Sequence, residues 1–464
     1  MKDLRITKHT EIDEQMTKLL NIDELSIIKC GHKEIKRSVA DGGGVRTVKC
    51  YTVIDSDDSK AECDICQQDG EPYEYYQKCY IDCMVDGTGK SQYVILDHRF
   101  VKFLCRKHGK LHKFSKEYAF AEKNSNVTKR MENRVVFLAV RTSCNEAAQK
   151  VGYIVSRQAV GNVVRRWTER CDLLRGSFNT PTDLAVISAM NNERGYIFFA
   201  DISYNKFRII DVVSGISAAN IEIVLKRFEL TKIATVITDS NSVLVDALRG
   251  GLSDLTELSV DVESLLPPII DGMRKYMNLF ERQIDPKIKH AITLPAESVS
   301  QYNQGRMKET FKSRKKLFEI YNHVNALRTI IKSDDHLDYK KFEGWLDGIP
   351  DEDYNLSTKK DTDVRETVFS EVSVYVEDYM KEILNFYRRR KNITGDVYRK
   401  IRLLVDKLQN WSDRAPELMR TRILYSDKID TYEDLADSQW TGVDYEDVMK
   451  NIDLLISEGG NIDG

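Results

Sequence analysis

The sequence predicts a multidomain α+β protein, and three stretches predict it. Between Thr182 and Asp261, short apolar runs alternate with amphipathic segments. Five of the nine cysteines, Cys63, Cys66, Cys79, Cys83 and Cys105, fall close together. Thr128 to Arg170 carries apolar residues at helical spacing. The expected boundaries are 1–55 for an N-terminal arm, 56–118 for the cysteine-rich unit and 122–172 for the helical unit. The first part of an α/β unit is expected at 178–264, a helical insertion at 265–378, a closing helix at 379–410 and an acidic tail at 411–464.

The central stretch reads as strands and helices in the order βββαβαβ. Asp183 opens the first strand, and Tyr196 to Ile202 and Phe207 to Val213 form the next two. Ala218 to Leu230 places Ile221, Val224, Leu225 and Phe228 at helix spacing. Ile233 to Thr238 is an apolar β-branched run ending at Asp239, the pattern of a buried parallel strand. Val243 to Leu248 reads as a short helix, and Leu258 to Asp261 as a last strand ending in an acid. This order is that of the ribonuclease-H-like fold, whose first and fourth strands are neighbours. Asp183 and Asp239 are therefore expected side by side at the sheet centre.

Two carboxylates in one site repel, and one is driven to hold a proton. Mg²⁺ (or Mn²⁺) relieves the conflict, because it takes hard oxygen ligands and often needs only one or two carboxylates. A pair of such ions stabilises the attacking and leaving oxygens of a phosphoryl displacement. The plainer alternative is that acids at strand ends simply begin loops.

The charge balance, 70 Lys and Arg against 73 Asp and Glu, does not by itself announce a nucleic-acid partner. No apolar run is long enough to span a membrane. The N-terminus lacks a signal-peptide core, so a cytoplasmic, nucleoid-associated location is expected. There is no Walker phosphate loop and no His-Glu-x-x-His, which speaks against an ATPase and a zincin.

Residues 1–55 say little: Met16 to Ile28 reads as a short amphipathic helix and Val45 to Val53 as a strand. Cys63-Asp-Ile-Cys66 then has knuckle spacing, and Cys105-Arg-Lys-His108 is followed by His112. Cysteines in a cytosolic chain favour metal binding over disulfides. A structural zinc wants four N or S ligands. Cys63, Cys66, Cys105 and His108 supply them in a zinc ribbon, with His112 as the alternative fourth. Cys79 and Cys83 are core residues or further ligands.

Thr128 to Arg141 and Cys144 to Gly152 read as two helices, the second closed by its glycine. Ser156 is a natural N-cap for a third, Arg157 to Arg170, which buries Val160, Val163, Val164 and Trp167. It presents Arg157, Gln158, Asn162, Arg165 and Arg166 elsewhere. This is helix-turn-helix grammar, with the third helix in the DNA major groove. Arg and Gln there can read guanine and adenine. A plain three-helix bundle is the alternative.

Zinc ribbon, helix-turn-helix and ribonuclease-H-like domain, in that order, resemble the DDE insertion-sequence transposases of the ISL-three kind. The resemblance covers roughly residues 60–405. His98-Arg-Phe-Val-Lys-Phe-Leu-Cys105 looks like the family's basic strand, and Thr182-Asp183 is similar to its first catalytic motif. Asp201 to Gly215 resembles the two strands that follow, and Thr238-Asp239 the second catalytic acid. Asp261 matches the aspartate of the family's Asp-Arg-Phe-His. The resemblance implies a DNA transposase that cleaves element ends and transfers strands. Its catalytic metal would be Mg²⁺, its structural metal zinc, its partner double-stranded DNA, and its working form a dimer or a larger synaptic assembly. The chain departs from the pattern at Leu184, where the first motif has Glu, and at Val262-Glu263-Ser264. Near Asn392 the family's glutamate is absent, and Asp396 is the nearest acid to serve as third ligand. A descendant that binds DNA as a regulator but has lost the chemistry is the alternative.

Between Asp261 and Asn392 the chain reads as mostly helical, in Ile269 to Phe280, Gly305 to Ile331 and Val368 to Arg389. Arg388, Arg389, Arg390 and Lys391 form a positive collar before Asp396, suited to holding a DNA strand.

Overall fold

Alternating apolar residues build a first sheet from β1 (Leu25–Lys36), β2 (Val45–Asp55), β3 (Glu71–Val85), β4 (Ser91–Cys105) and β5 (His112–Ser115). Its order is β1-β2-β4-β3, with β5 paired to β4. β2 and β4 are parallel, while β1 runs antiparallel to β2 and β3 antiparallel to β4. The computed structural model describes residues 20–36, 43–56, 61–85, 91–107, 111–191, 194–332, 338–349, 356, 366–389, 396–408, 416–437 and 439–459. They fall into two units: 1–175 with 411–436 and 451–464, and 176–410 with 437–450. Together these make a mixed α+β, multidomain chain with two sheets.

Two expectations are corrected in the first unit. Leu25 to Ile28 is strand, not the end of a helix, because burial there alternates with a period of two. The expected boundary at 55 also cuts through the sheet, since β1 and β2 share it with β3 and β4. Leu25, Ile27, Tyr51, Val53, Tyr80 and Leu96 pack together in one cluster.

Three helices follow: α1 (Lys129–Arg141), α2 (Cys144–Lys150) and α3 (Arg157–Leu174). Each has a side-chain N-cap, and Ser156 is the one expected from the sequence. The Thr128, Ser143 and Ser156 side chains accept from the N–H of Met131, Glu146 and Ala159. Gly152 closes α2 at φ +64°, and a Cβ there would fall 1.1 Å from the Arg46 guanidinium, which donates to the Val151 carbonyl. Asp82 ties β3 to α1. Fully buried, it accepts from Thr128 Oγ1 at 2.5 Å and from Nε and Nη2 of Arg130.

The second unit is built on β6 (Asp183–Asn191), β7 (Arg194–Asp201), β8 (Arg208–Ser214), β9 (Thr235–Thr238), β10 (Glu257–Val260) and β11 (Val443–Asp444). Their order is β10-β9-β6-β7-β8-β11. β6, β7 and β8 form an antiparallel meander, and β9 and β10 join β6 in parallel. The helices α4 (Ala218–Leu225) and α5 (Ser242–Gly251) make the crossovers. The insertion is helical as expected: α6 (Leu266–Phe280), α7 (Pro286–Thr293), α8 (Gln301–Lys312), α9 (Lys315–Lys332), α10 (Asp338–Asp347) and α11 (Ser370–Arg389). α11 lies on β10, where Asn385 Nδ2 donates to the Leu258 carbonyl at 2.9 Å. α12 (Val397–Leu408) packs on β6.

The stretch expected as an acidic tail contributes to both cores. α13 (Glu417–Leu424) belongs to the first unit and packs on α1 and α3. Arg422, 3 % exposed, donates to the Ala139, Val140 and Thr142 carbonyls that end α1. In the second unit β11 extends the sheet beside β8, and Trp440 Nε1 donates to the Ile210 carbonyl at 2.7 Å. α14 (Tyr445–Gly459) follows. Among the described residues no helix is long and apolar enough to cross a membrane.

Arg422→Ala leaves three carbonyls of a buried helix end without a donor. We expect it to destabilise the first unit by about 2–4 kcal/mol in urea unfolding, since each unmet buried group costs about 1–3 kcal/mol. Arg422→Lys should recover part of the loss.

Candidate functional site

In the second unit the chemistry gathers where the parallel strands end. β6 and β9 run in step from Asp183 beside Thr235 to Val186 beside Thr238. Asp239, the next residue, is therefore level with the far part of β6. Its Oδ2 accepts from the Ser188 N–H at 2.5 Å and from Ser188 Oγ at 2.6 Å. Its Oδ1 accepts from the Asn241 N–H at 3.0 Å.

Asp183 does not join it. It stands four residues back along β6 from the level of Asp239, roughly 13 Å at ~3.3 Å per residue. Ser188 lies five positions after Asp183, an odd offset, so their side chains leave opposite faces of the sheet. The expected Asp183–Asp239 pair is thus not formed, and a serine occupies the position that faces Asp239.

The other acids come from loops around that strand end. Asp261 follows β10, is 4 % exposed, and accepts from the Glu263 N–H at 3.0 Å and the Tyr398 N–H at 3.3 Å. Asp396 precedes α12 with φ +71°, a left-handed conformation uncommon outside glycine. Burial pushes the Asp239 carboxyl up to about 6, with the charge of Asp261 adding to the rise against its three hydrogen bonds. Burial also lifts Glu263, to about 7, reinforced by Asp261 and Asp396. Glu263 and Asp261 thus belong to the cluster, and Asp396 stands close enough to act on it.

The lone pairs of Asp239 and Asp261 are partly engaged. Each oxygen of Asp239 and Asp261 already accepts a hydrogen bond. Among the described residues, the groups of three or more ligand atoms within 4.8 Å of one another lie elsewhere, around Cys63.

That second group is in the first unit. The Cys63, Cys66 and Cys105 sulfurs all lie within 4.8 Å of one another, and Cys66 and Cys105 are 3.7 Å apart. Two thiolates on a tetrahedral zinc, each ~2.3 Å from it, stand about 3.8 Å apart, whereas a disulfide is ~2.05 Å long. The group suits a metal such as zinc. His112 faces Cys105 across the β4–β5 ladder and lies within the same distance of Cys63 and Asp64. It shares Cys63 with the cysteine group but meets Asp64 at 2.5 Å and is not within that distance of all three sulfurs, while His108 lies outside the described residues. Cys79 and Cys83 are not in the group. Cys79 meets Lys33 Nζ at 3.1 Å, and Cys83 is buried in the sheet.

Of the residues expected to meet DNA, Arg157, Gln158, Asn162, Arg165 and Arg166 are all exposed on α3. Arg166 is drawn toward buried Glu132 at 3.1 Å, and Arg165 donates to Asn162 at 3.3 Å. Arg388 is exposed near the end of α11 and Arg389 is its last residue. Arg390 and Lys391 lie outside the described residues.

Neither the known protein-family models nor the curated proteins match this chain.

Two outcomes follow. Protein purified without chelator should carry about one zinc per chain by elemental analysis, and Cys105→Ser should lose it; full retention would remove Cys105 from the ligand set. The second concerns pH. A carboxyl whose folded pKa is raised costs stability as pH climbs from its unfolded to its folded value. For Glu263 that window runs from 4.5 to about 7. Glu263→Gln should flatten the fall in unfolding free energy between pH 5 and 8. At pH 8 it should exceed the wild type by on the order of 1 kcal/mol after solvent screening. An equal difference at both pH values would refute the linkage.

Proposed function

We propose that this chain is a transposase-like DNA-binding protein whose ribonuclease-H-like unit does not assemble the carboxylate pair needed for metal-dependent cleavage. The observation that carries the second half is Ser188, which faces Asp239 as a hydrogen-bond donor where a second acid would be required. The strand order supports the ribonuclease-H-like reading. Renumbered within the unit, β10-β9-β6-β7-β8 is 5-4-1-2-3, a meander followed by two parallel strands on the other side of the first. Three capped helices with an exposed Arg157 and Gln158 at the start of the third support the helix-turn-helix. The cysteine group supports a structural zinc ribbon.

An active transposase is the rival reading. It is favoured by the mutual influence of Asp261, Glu263 and Asp396, three acids beside Asp239 that a metal could draw together.

Mobility shift and nicking on duplexes carrying the sequences that flank the gene separate the two. The full chain should bind and, with Mg²⁺ or Mn²⁺, leave both strands intact. Arg157→Ala with Gln158→Ala should lose sequence preference by roughly 30-fold or more, at ~1–3 kcal/mol for each of two bidentate base contacts. Metal-dependent nicks that vanish in Asp239→Ala would make the protein an enzyme. No binding to any duplex would end the DNA reading.

A further inference from the structure

On one side of the first unit's sheet, β3, β4, β5 and the segment leading into α1 line a groove of about 1210 Å³. Pockets for small molecules hold roughly 300–1,000 Å³, so the groove suits a stretch of polymer. Six lysines line it: Lys78, Lys102, Lys113, Lys116, Lys123 and Lys129.

Of the four acids that line it, Glu62 is exposed and the other three are engaged locally. Asp64 meets His112 at 2.5 Å, Glu117 meets Lys123 at 3.6 Å, and Glu122 meets Lys129 at 3.5 Å and Arg170 at 3.0 Å. Three of the lysines are held differently. Lys78 Nζ sits 4.6 Å from the Tyr80 ring centre, Lys102 Nζ 3.6 Å from that of Tyr76, and Lys113 Nζ 4.4 Å from that of Tyr73. The sheet sets this up. Tyr76, Lys78 and Tyr80 alternate onto one face of β3, and Tyr76 pairs with Phe100, two residues before Lys102 on β4. A ring face positions an ammonium group without cancelling its charge. The groove therefore presents a row of oriented cations.

We propose that this groove binds the phosphodiester backbone of duplex DNA, as a contact surface additional to the exposed face of α3. The proposal rests on the DNA-binding reading above. A duplex is favoured over a single strand because Tyr80, Phe100 and Phe114 in the groove are at most 9 % exposed, and the exposed rings of Tyr76 and Tyr73 beside it already carry Lys102 and Lys113. Contacts to phosphate fix register and carry no sequence information. The groove thus sets affinity and salt dependence, while α3 reads bases.

The test is fluorescence anisotropy of the full chain on 30-bp duplexes of selected and scrambled sequence, across a salt series. Replacing Lys78, Lys102 and Lys113 together by Gln should weaken binding to both duplexes about equally. The slope of log K against log salt should shrink by about three, at ~0.9 per phosphate contact. The three Lys→Arg changes, which keep the charge, should hold the wild-type slope. Zinc content and circular dichroism establish that each variant is folded. A folded Gln variant with wild-type affinity and slope overturns the groove. So does an Arg variant that loses as much as the Gln variant. If such a Gln variant behaves as wild type while Arg157→Ala with Gln158→Ala loses sequence preference, only the groove falls. If the wild type binds neither duplex, the DNA reading falls with it.

Discussion

The parallel pairing of β6 with β9 governs what the second unit can do. β9 ends at Thr238, beside Val186, and beyond that point β6 has no strand partner on this side. The N–H of Ser188 would be left unmet, and buried backbone donors are rarely left so. Asp239 takes it, and takes the hydroxyl as well. Asp261 does the same one strand over, accepting the Tyr398 N–H in the first turn of α12. A carboxylate there also faces the positive end of that helix. These acids therefore hold strand and helix ends in place, and they sit at the carboxyl edge of the parallel strands, where open α/β sheets bind their ligands. Whatever replaces a hydrogen bond to Ser188 must also supply that donor's partner.

The first unit is held by buried charged and polar groups paired between its elements. Asp82 joins β3 to α1 through Thr128 and Arg130. Fully buried His98 meets Asp55 at 2.7 Å, and Tyr118 donates to the other oxygen of Asp55 at 3.0 Å. Buried Glu132 on α1 holds Arg166 and Arg170 of α3. Removing one member of such a set leaves a buried charge alone, which costs more than the pair is worth. The Glu132 link also has a functional side. It turns Arg166 toward the bundle and leaves the start of α3, with Arg157 and Gln158, as the exposed end.

What could be read from the sequence follows the range of the interactions. The cap Ser156 acts within three residues, and the buried stripe Val160, Val163, Val164 and Trp167 within one helix, so both were legible. The order of elements from Asp183 to Asp261 was legible for the same reason. Register was not. Whether Asp183 or Ser188 faces Asp239 depends on which residues pair across β6 and β9, and both choices bury the same apolar run. An acid at the start of a strand drew attention, whereas Ser188 carries no local signal. The helix around Arg422 was hidden because its partner lies far along the chain, at the end of α1; β1 pairs with its neighbour β2, and the apolar residues of Met16 to Ile28 fit a helical spacing as well as a strand's. His112 was already the alternative fourth ligand in the sequence, and the ladder that pairs it with Cys105 is again a long-range fact.

A net charge of −3 is no obstacle to a DNA partner, because screening makes the sum over the chain the wrong quantity. At physiological salt a phosphate feels charges within about 8 Å. Within that range, the groove of the first unit presents Lys78, Lys102 and Lys113 over aromatic rings, and three of its four acids are paired locally. The excess negative charge lies partly in the second unit, on buried Asp239, half-buried Glu263 and buried Asp261. Burial lifts the first two toward neutrality, so they add less to the field than their formal count suggests. The same burial that makes these acids poor repellents of DNA is what a cutting site would exploit, were a second carboxylate to stand where Ser188 does.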